Sequence, residues 1–361
     1  MNRRRTSPNR TGRGAGSNPA GRFESVAVVA VDDGWPGDPG DREARLETEL
    51  IRDDSRTIIS RNNSPDVPFE QSVNPYRGCE HGCVYCYARP SHAWLGLSPG
   101  LDFESRILYK PDAAKLLEKA LRARSYRCRT LVLGANTDPY QPVERRLGIT
   151  RALLEVLAEC HHPVSIVTKG ALIERDLDIL SAMATQDLVS VMVSVTTLDD
   201  SLKRIMEPRA ASPARRLATL QSLASAGIPA GVLVAPVIPA INDHEVEAIL
   251  EAAASAGATC AAHILLRLPH EVSDLFVEWL AEHFPDRSGK TMNLLRDARG
   301  GRDNDPRFGS RMTGQGPWAD LLARRFSRAC ARLGLSVGEA RNLDTTAFRP
   351  PSDAGGQISL I

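Results

Sequence analysis

Between residues 72 and 285 the chain repeats one pattern six times: a short apolar run, then a longer amphipathic stretch. The extended runs are Ser72–Tyr76, Thr130–Ala135, Val164–Thr168, Leu188–Thr197, Ala230–Pro236 and Cys260–Leu268. Helical stretches fall near 112–124, 150–160, 172–184, 213–226, 243–256 and 274–284. Capping residues support several of them. Ser212-Pro213 is an N-cap with a first-turn proline, and Gly227 closes that helix. Asn242 or Asp243 opens the next helix and Gly257 ends it, while Ser273 caps the sixth. No hairpin signal interrupts the series, so the strands are expected to be parallel with right-handed crossovers. Periodicity alone does not separate an open sheet from a barrel. In either form the site belongs at the carboxyl ends of the strands.

The flanks are different. Residues 1–22 are rich in Arg, Gly, Ser, Asn and Pro with almost no large apolar side chains, and are expected to be a disordered tail. Arg3, Arg4 and Arg5 there read as a solvated run rather than a nucleic-acid contact. Residues 23–71 form an N-terminal extension with turns around 32–41 and a strand near Arg56–Ser60. The alternation of 72–285 is the core. In the C-terminal region, 286–361, a polar Gly/Arg/Asp stretch at 286–316 reads as a long loop, a lid over the core. Its Arg296, Arg299, Arg302, Arg307 and Arg311 are interleaved with Asp297, Asp303 and Asp305, and Phe308 is its one aromatic. A last helix is expected at Pro317–Leu333, where Leu321, Leu322, Phe326, Ala329, Cys330 and Leu333 make an apolar stripe.

Composition narrows the class. A chain of 361 residues can bury a sizeable core, and a net charge of +1 argues against a general electrostatic nucleic-acid binder. Runs such as Val189–Val195 are too short to cross a bilayer, and no apolar h-region follows the N-terminal arginines. The seven cysteines do not suggest a disulfide framework, and three of them cluster, so a reducing compartment, the cytoplasm, is expected.

That cluster is Cys79, Cys83 and Cys86, in the run Cys-Glu-His-Gly-Cys-Val-Tyr-Cys just after the first strand. A structural zinc site closes with four protein ligands, whereas a cubane held by three thiolates leaves one iron open. Gly78 and Gly82 allow the tight backbone path that aims three sulfurs at one centre, and Tyr85 places an aromatic ring beside it. The alternative for the same residues is a zinc knot completed by His81 or His92. The C-x3-C-x2-C spacing with an aromatic before the last cysteine resembles the signature of the radical S-adenosylmethionine (radical SAM) enzymes. The resemblance implies a partial six-stranded β/α barrel, open on one side. It implies a 4Fe–4S cluster on Cys79, Cys83 and Cys86, with S-adenosylmethionine on the open iron. It also implies reductive cleavage to a 5′-deoxyadenosyl radical, with electrons from an external donor of the flavodoxin or ferredoxin type.

The second strand ends in Asn136-Thr137-Asp138-Pro139-Tyr140-Gln141-Pro142-Val143-Glu144, denser in polar and aromatic groups than a turn requires. The Gly-Gly-Glu-like motif that many radical SAM enzymes carry here is absent. Thr137–Pro142 instead resembles the branch that contains spore photoproduct lyase, over about residues 72–270. Thr137 and Asp138 are therefore candidate contacts to S-adenosylmethionine. By the same resemblance Lys169, at the end of the third strand, pairs with the carboxylate of that ligand. A lysine beside a cationic cluster is costly unless an anion joins it. Ser194 shares one strand face with Ser190, Met192 and Thr196 and is the candidate hydrogen-bonding serine. Glu207-Pro208-Arg209 and Arg215-Arg216 read equally as ligand contacts or as a solvated helix start. His263 reads as a core histidine. Cys128, Cys160, Cys260 and Cys330 are scattered and assemble no second cluster motif; Cys160 and Cys330 read as small core residues.

The expected function is thus a cytoplasmic radical SAM enzyme that takes hydrogen from a small-molecule or nucleic-acid substrate. One rival is a nucleic-acid repair lyase of the spore photoproduct lyase type. The other, from a different class, is a zinc- or cluster-stabilised nucleic-acid-binding regulator.

Overall fold

The computed structural model describes residues 12–23, 46–338 and 343–351. Arg3, Arg4, Arg5 and the turns expected at 32–41 lie outside the described residues. Strands β1 (Glu49–Arg52), β4 (Tyr76–Arg77) and β5 (Arg106–Tyr109) form a small side sheet in the order β1-β5-β4. The main sheet contains β2 (Ile59–Arg61), β3 (Gln71–Val73), β6 (Leu131–Leu133), β7 (Val164–Thr168), β8 (Val189–Ser194), β9 (Ala230–Val237), β10 (Cys260–Leu265) and β11 (Ser336–Val337). Its order is β11-β10-β9-β8-β7-β6-β3-β2, so neighbours in the sequence are neighbours in the sheet. Every pair from β3 to β11 is parallel, and β2 joins β3 antiparallel. The sheet curls without closing, which is the expected partial barrel.

The six crossovers form as their sequence demands. Val164, Ile166, Val189, Val191 and Val232 are buried in one apolar core with Leu153, Leu157, Leu180, Leu220 and Ile249 from the outer helices. The helix Pro213–Ser225 starts where Ser212 Oγ accepts from the Arg215 N–H at 3.3 Å, and Gly227 follows its end at φ 72°. One capping expectation fails: the sixth helix is Val272–His283 and begins before Ser273, with no side-chain cap. Asn242 does open the turn Asp243–Glu245 that runs into the fifth helix, but its side-chain amide turns inward, accepting from Ile238 N and donating to the Thr196 and Pro236 carbonyls.

Two larger expectations are corrected. Residues 286–316 are not one loop: a helix runs from Pro285 to Ala298 and buries Thr291, Met292, Leu295 and Ala298. Its apolar positions are widely spaced among charged residues, so composition hid the helical period. The remaining segment lies against the end of β10. Leu265 N donates to the Met312 carbonyl at 2.8 Å, and buried Arg299 donates to the carbonyls of Leu265, Leu266, Ser310 and Arg311. Nor are residues 12–22 disordered. Arg13 donates to the carbonyls of Glu104 and Leu46, and the Gly14 and Ala15 N–H groups donate to the Glu104 carboxylate at 2.9 and 2.8 Å. Backbone N–H groups, which composition does not reveal, order this segment. The first strand is also split: β3 ends at Val73, and Tyr76 joins the side sheet.

Candidate functional site

The cysteine loop follows β3 and β4 and crosses the carboxyl ends of the parallel strands. Gly78 and Gly82 take φ of 82° and 69°, which a side chain would strain. A Cβ on Gly82 would also stand 2.7 Å from a Glu104 carboxylate oxygen. Below the loop is a cavity of about 720 Å³. Cys79, Cys83 and Cys86 line it together with His81, Tyr85, Asp138, Lys169 and Ser194.

Two buried carboxylates hold this loop from opposite sides. On the outer side Glu104 is fully buried and pairs with Arg89, whose remaining N–H groups go to the carbonyls of Cys83, Pro99 and Gly100. On the cavity side Glu207 is fully buried against Arg216 and accepts from the Tyr85 hydroxyl and from Thr196 Oγ1 at 2.7 Å. Lys169 Nζ lies 3.4 Å from Glu207 and donates to Ser194 Oγ at 2.5 Å, Thr196 Oγ1 at 3.2 Å and the Ala235 carbonyl at 3.2 Å. Its ammonium sits 5.7 Å from the centre of the Tyr85 ring. Burial by itself pushes the Glu207 carboxyl up, but Arg216 and Lys169 outweigh that and hold it well below the usual carboxylate range. Lys169 therefore has an internal counter-charge.

Asp138 accepts from the Lys169 N–H and from Thr168 Oγ1, both at 2.7 Å, and stands 3.3 Å from His81 Nδ1. Burial pushes its carboxyl up, yet His81 and these donors leave it below the ordinary value. His81 itself is buried. Thr137 is brought to the loop but not to the cavity lining; its hydroxyl donates to the Tyr76 carbonyl at 2.9 Å. Most of the polar density at 136–144 braces the cysteine loop. Gln141 accepts from Glu80 N and donates to the Gly78 carbonyl, and Glu144 takes the Tyr76 hydroxyl, Thr150 N and Arg175.

Glu207 with Arg216 was legible only as one of two even readings, and Glu104 with Arg89 was missed. A carboxylate and an arginine nine or fifteen residues apart, well beyond one helical turn, leave no periodic signal. Arg209 instead pairs with Glu80 at 3.0 Å and Arg215 with Glu174 at 2.6 Å. His263 packs on Phe326 away from the cavity, and Cys160 and Cys330 are buried in the core.

The donor set fits a three-thiolate cluster. Burial pushes the Cys83 thiol up to about 12 and raises Cys79 and Cys86 too, so a bound cation is what would stabilise their charged form. The backbone N–H groups of His81 and Ala88 act against that burial, favouring the charged forms of Cys79 and Cys86. Among the described residues no three His, Cys, Asp or Glu side chains stand as ligands around a single ion. Thiols on three corners of a cluster are not required to. The zinc alternative loses His92, whose Nε2 is 3.1 Å from the Arg106 carbonyl and whose ring packs on Phe103 outside the cavity.

Comparison with known proteins agrees. An uncharacterised protein of Mycobacterium tuberculosis is 39% identical over 236 residues, covering 65% of this chain and 69% of that one. An uncharacterised protein of Methanocaldococcus jannaschii is 26% identical over 198 residues, 55% of this chain and 71% of that one. The fold is similar to that of spore photoproduct lyase. The structure complexed with dinucleoside spore photoproduct matches with a TM-score of 0.56 at 18% identity, covering 80% of this chain and 81% of the other. Residues 73–253, half of the chain, match the family model of the Radical SAM superfamily, and with its three cysteines inside that span this chain belongs to that superfamily.

Proposed function

We propose that this protein binds a 4Fe–4S cluster through Cys79, Cys83 and Cys86 and uses it with S-adenosylmethionine to take a hydrogen atom from a bound substrate. The observation that carries this reading is the opening of all three thiols into one cavity alongside the Lys169–Glu207 ion pair. When bound, the reduced cluster and S-adenosylmethionine supply a 5′-deoxyadenosyl radical. The rest falls to the chain's own groups. Lys169 offers its ammonium to a ligand carboxylate, with Glu207 holding the lysine at the strand ends. Ser194 and Asp138 offer an acceptor hydroxyl and a carboxylate to the same ligand. Tyr85 is held by Glu207 and packs beside the third thiol. Residues of the 62–69 segment and Met312 also line the cavity. An external reductant of the flavodoxin or ferredoxin type and a cytoplasmic setting belong to this proposal. Among the described residues no helix is long and apolar enough to cross a membrane.

The test is anaerobic reconstitution followed by dithionite-driven formation of 5′-deoxyadenosine. Wild type is expected to hold iron and form the nucleoside, and Cys83→Ala to do neither. A colourless, zinc-loaded protein would favour the regulator instead. A repair lyase would show itself by reversal of lesions in irradiated DNA, which the same preparation can be given.

A further inference from the structure

Among the described residues four basic side chains line the cavity: His81, Lys169, Arg267 and Arg311. Three have acidic partners. His81 faces Asp138, Lys169 faces Glu207, and Arg311 makes a two-pronged pair with Asp66 at 2.6 and 2.7 Å. Arg267 has none. Its Nε is buried without a hydrogen-bond partner, and its Nη1 reaches only the Met312 sulfur at 3.8 Å. Its guanidinium lies 5.4 Å from the centre of the Tyr87 ring. The nearby Asp66 is already committed to Arg311 and to Gly309 N. A part-buried guanidinium with a desolvated Nε and no carboxylate beside it is favoured by a bound anion. Burial indeed lowers its affinity for its proton.

Position separates Arg267 from the Lys169 group. Lys169 and Ser194 are at the ends of β7 and β8, in the middle of the sheet. Arg267 follows β10, near the sheet's edge, where the cavity is framed by Asp66, Phe69, Arg311 and Met312. The Asp66–Arg311 pair joins the β2–β3 connection to the segment after the Pro285–Ala298 helix. Tyr87, next to Cys86, is part exposed there. The two tyrosines around Cys86 thus each carry a cation, Lys169 on Tyr85 and Arg267 on Tyr87. Only the first is neutralised from within.

The geometry points to Arg267 as the anchor for an oxyanion of the substrate, a phosphate or a carboxylate, at a subsite distinct from that of S-adenosylmethionine. This rests on the function proposed above. The fork of N–H groups suits a two-oxygen anion, and the Tyr87 ring backs the guanidinium so that it keeps one orientation. A substrate held there is anionic and lies beside the third cysteine.

The test uses reconstituted protein with S-adenosylmethionine bound, titrated with inorganic phosphate and separately with succinate, and followed by nuclear magnetic resonance line broadening. Saturable binding of at least one anion is expected, weakened roughly ten- to a hundredfold in Arg267→Gln and less in Arg267→Lys. Which of the two binds more tightly separates a phosphate-bearing substrate from a carboxylate. Iron content, melting temperature and affinity for S-adenosylmethionine should match wild type in both variants. Binding of neither anion to wild type, or equal binding to Arg267→Gln, overturns the assignment. So does an equal loss of affinity for S-adenosylmethionine, which would put Arg267 in that ligand's own subsite. Failure of the underlying function reads out separately, as wild type that holds no iron or forms no 5′-deoxyadenosine.

Discussion

Glu104 and Glu207 are the same device used for two purposes. Each is a fully buried carboxylate paired with a fully buried arginine, and each grips the cysteine loop. Around Glu104 the partners are Arg89 and two backbone N–H groups from residues 14 and 15, and neither Glu104 nor Arg89 lines a cavity wall. Around Glu207 one partner, Lys169, lies on a cavity wall and is 15% exposed. A sealed pair joins distant segments and nothing more. A pair with one cation at a cavity wall can share that cation with a ligand, because the lysine keeps a counter-charge whether or not the ligand is present. The difference lies in what borders the pair, not in its chemistry.

The largest effect should come from breaking the sealed pair. Glu104→Gln leaves Arg89 charged and buried, a loss of about 3–5 kcal/mol in stability. Denaturant midpoints should fall accordingly, and reconstituted iron should fall with them, because the loop is no longer braced. Full iron occupancy in this variant would break the comparison.

Glu207→Gln should lose somewhat less, about 3 kcal/mol, since Arg216 keeps the Ser194 and Ala211 carbonyls and Lys169 can turn to water. Iron should be retained while S-adenosylmethionine affinity, measured by calorimetry, declines. Removing residues 1–22 should cost about 2 kcal/mol through the lost N–H bonds to Glu104, whereas removing 1–11 leaves those bonds in place. Equal melting temperatures for the two truncations would show that the segment does not brace Glu104.

Lys169→Ala sharpens the contrast from the ligand side. Stability should change little, while affinity for S-adenosylmethionine drops about tenfold or more, one charge-assisted hydrogen bond being worth roughly 1.5–3 kcal/mol. The smallest effect is on the pH profile. The folded Glu207 carboxyl is held below its ordinary value of 4.5. Its stabilisation is therefore complete above that pH and lost progressively as pH falls below it. The stability gap between wild type and Glu207→Gln should narrow between about pH 5 and pH 3, where the carboxyl of the unfolded chain takes up its proton while the folded one stays charged. A gap constant over that range would mean that Glu207 is not held as an anion.

What was readable in advance followed from local periodicity and spacing. The six strand–helix units needed only alternating apolar runs with Ser212 and Gly227 as punctuation, and the cysteines needed only their spacing. Lys169 and Asp138 stood at predicted strand ends but were nominated through the family resemblance, and Ser194 through the strand face that it shares with Ser190, Met192 and Thr196. The helix at Pro285–Ala298 was not readable, because its four buried positions are diluted by charge and its Gly289 suggests a loop. The ordered segment at 12–22 was hidden for a related reason: glycine-rich chain contributes backbone N–H groups, and composition shows only side chains.

The sequence by itself determined the parallel β/α core, the three-thiol loop and the family, because each depends on residues close together in the chain. Only the tertiary structure decided which charges meet. Glu207 meets Lys169 and Arg216, Glu104 meets Arg89, Asp66 meets Arg311, and Arg267 is left with an aromatic ring and a thioether sulfur. An unpaired charge can be identified only after every other charge has found its partner, and partners far apart in sequence are brought together only by the folded chain.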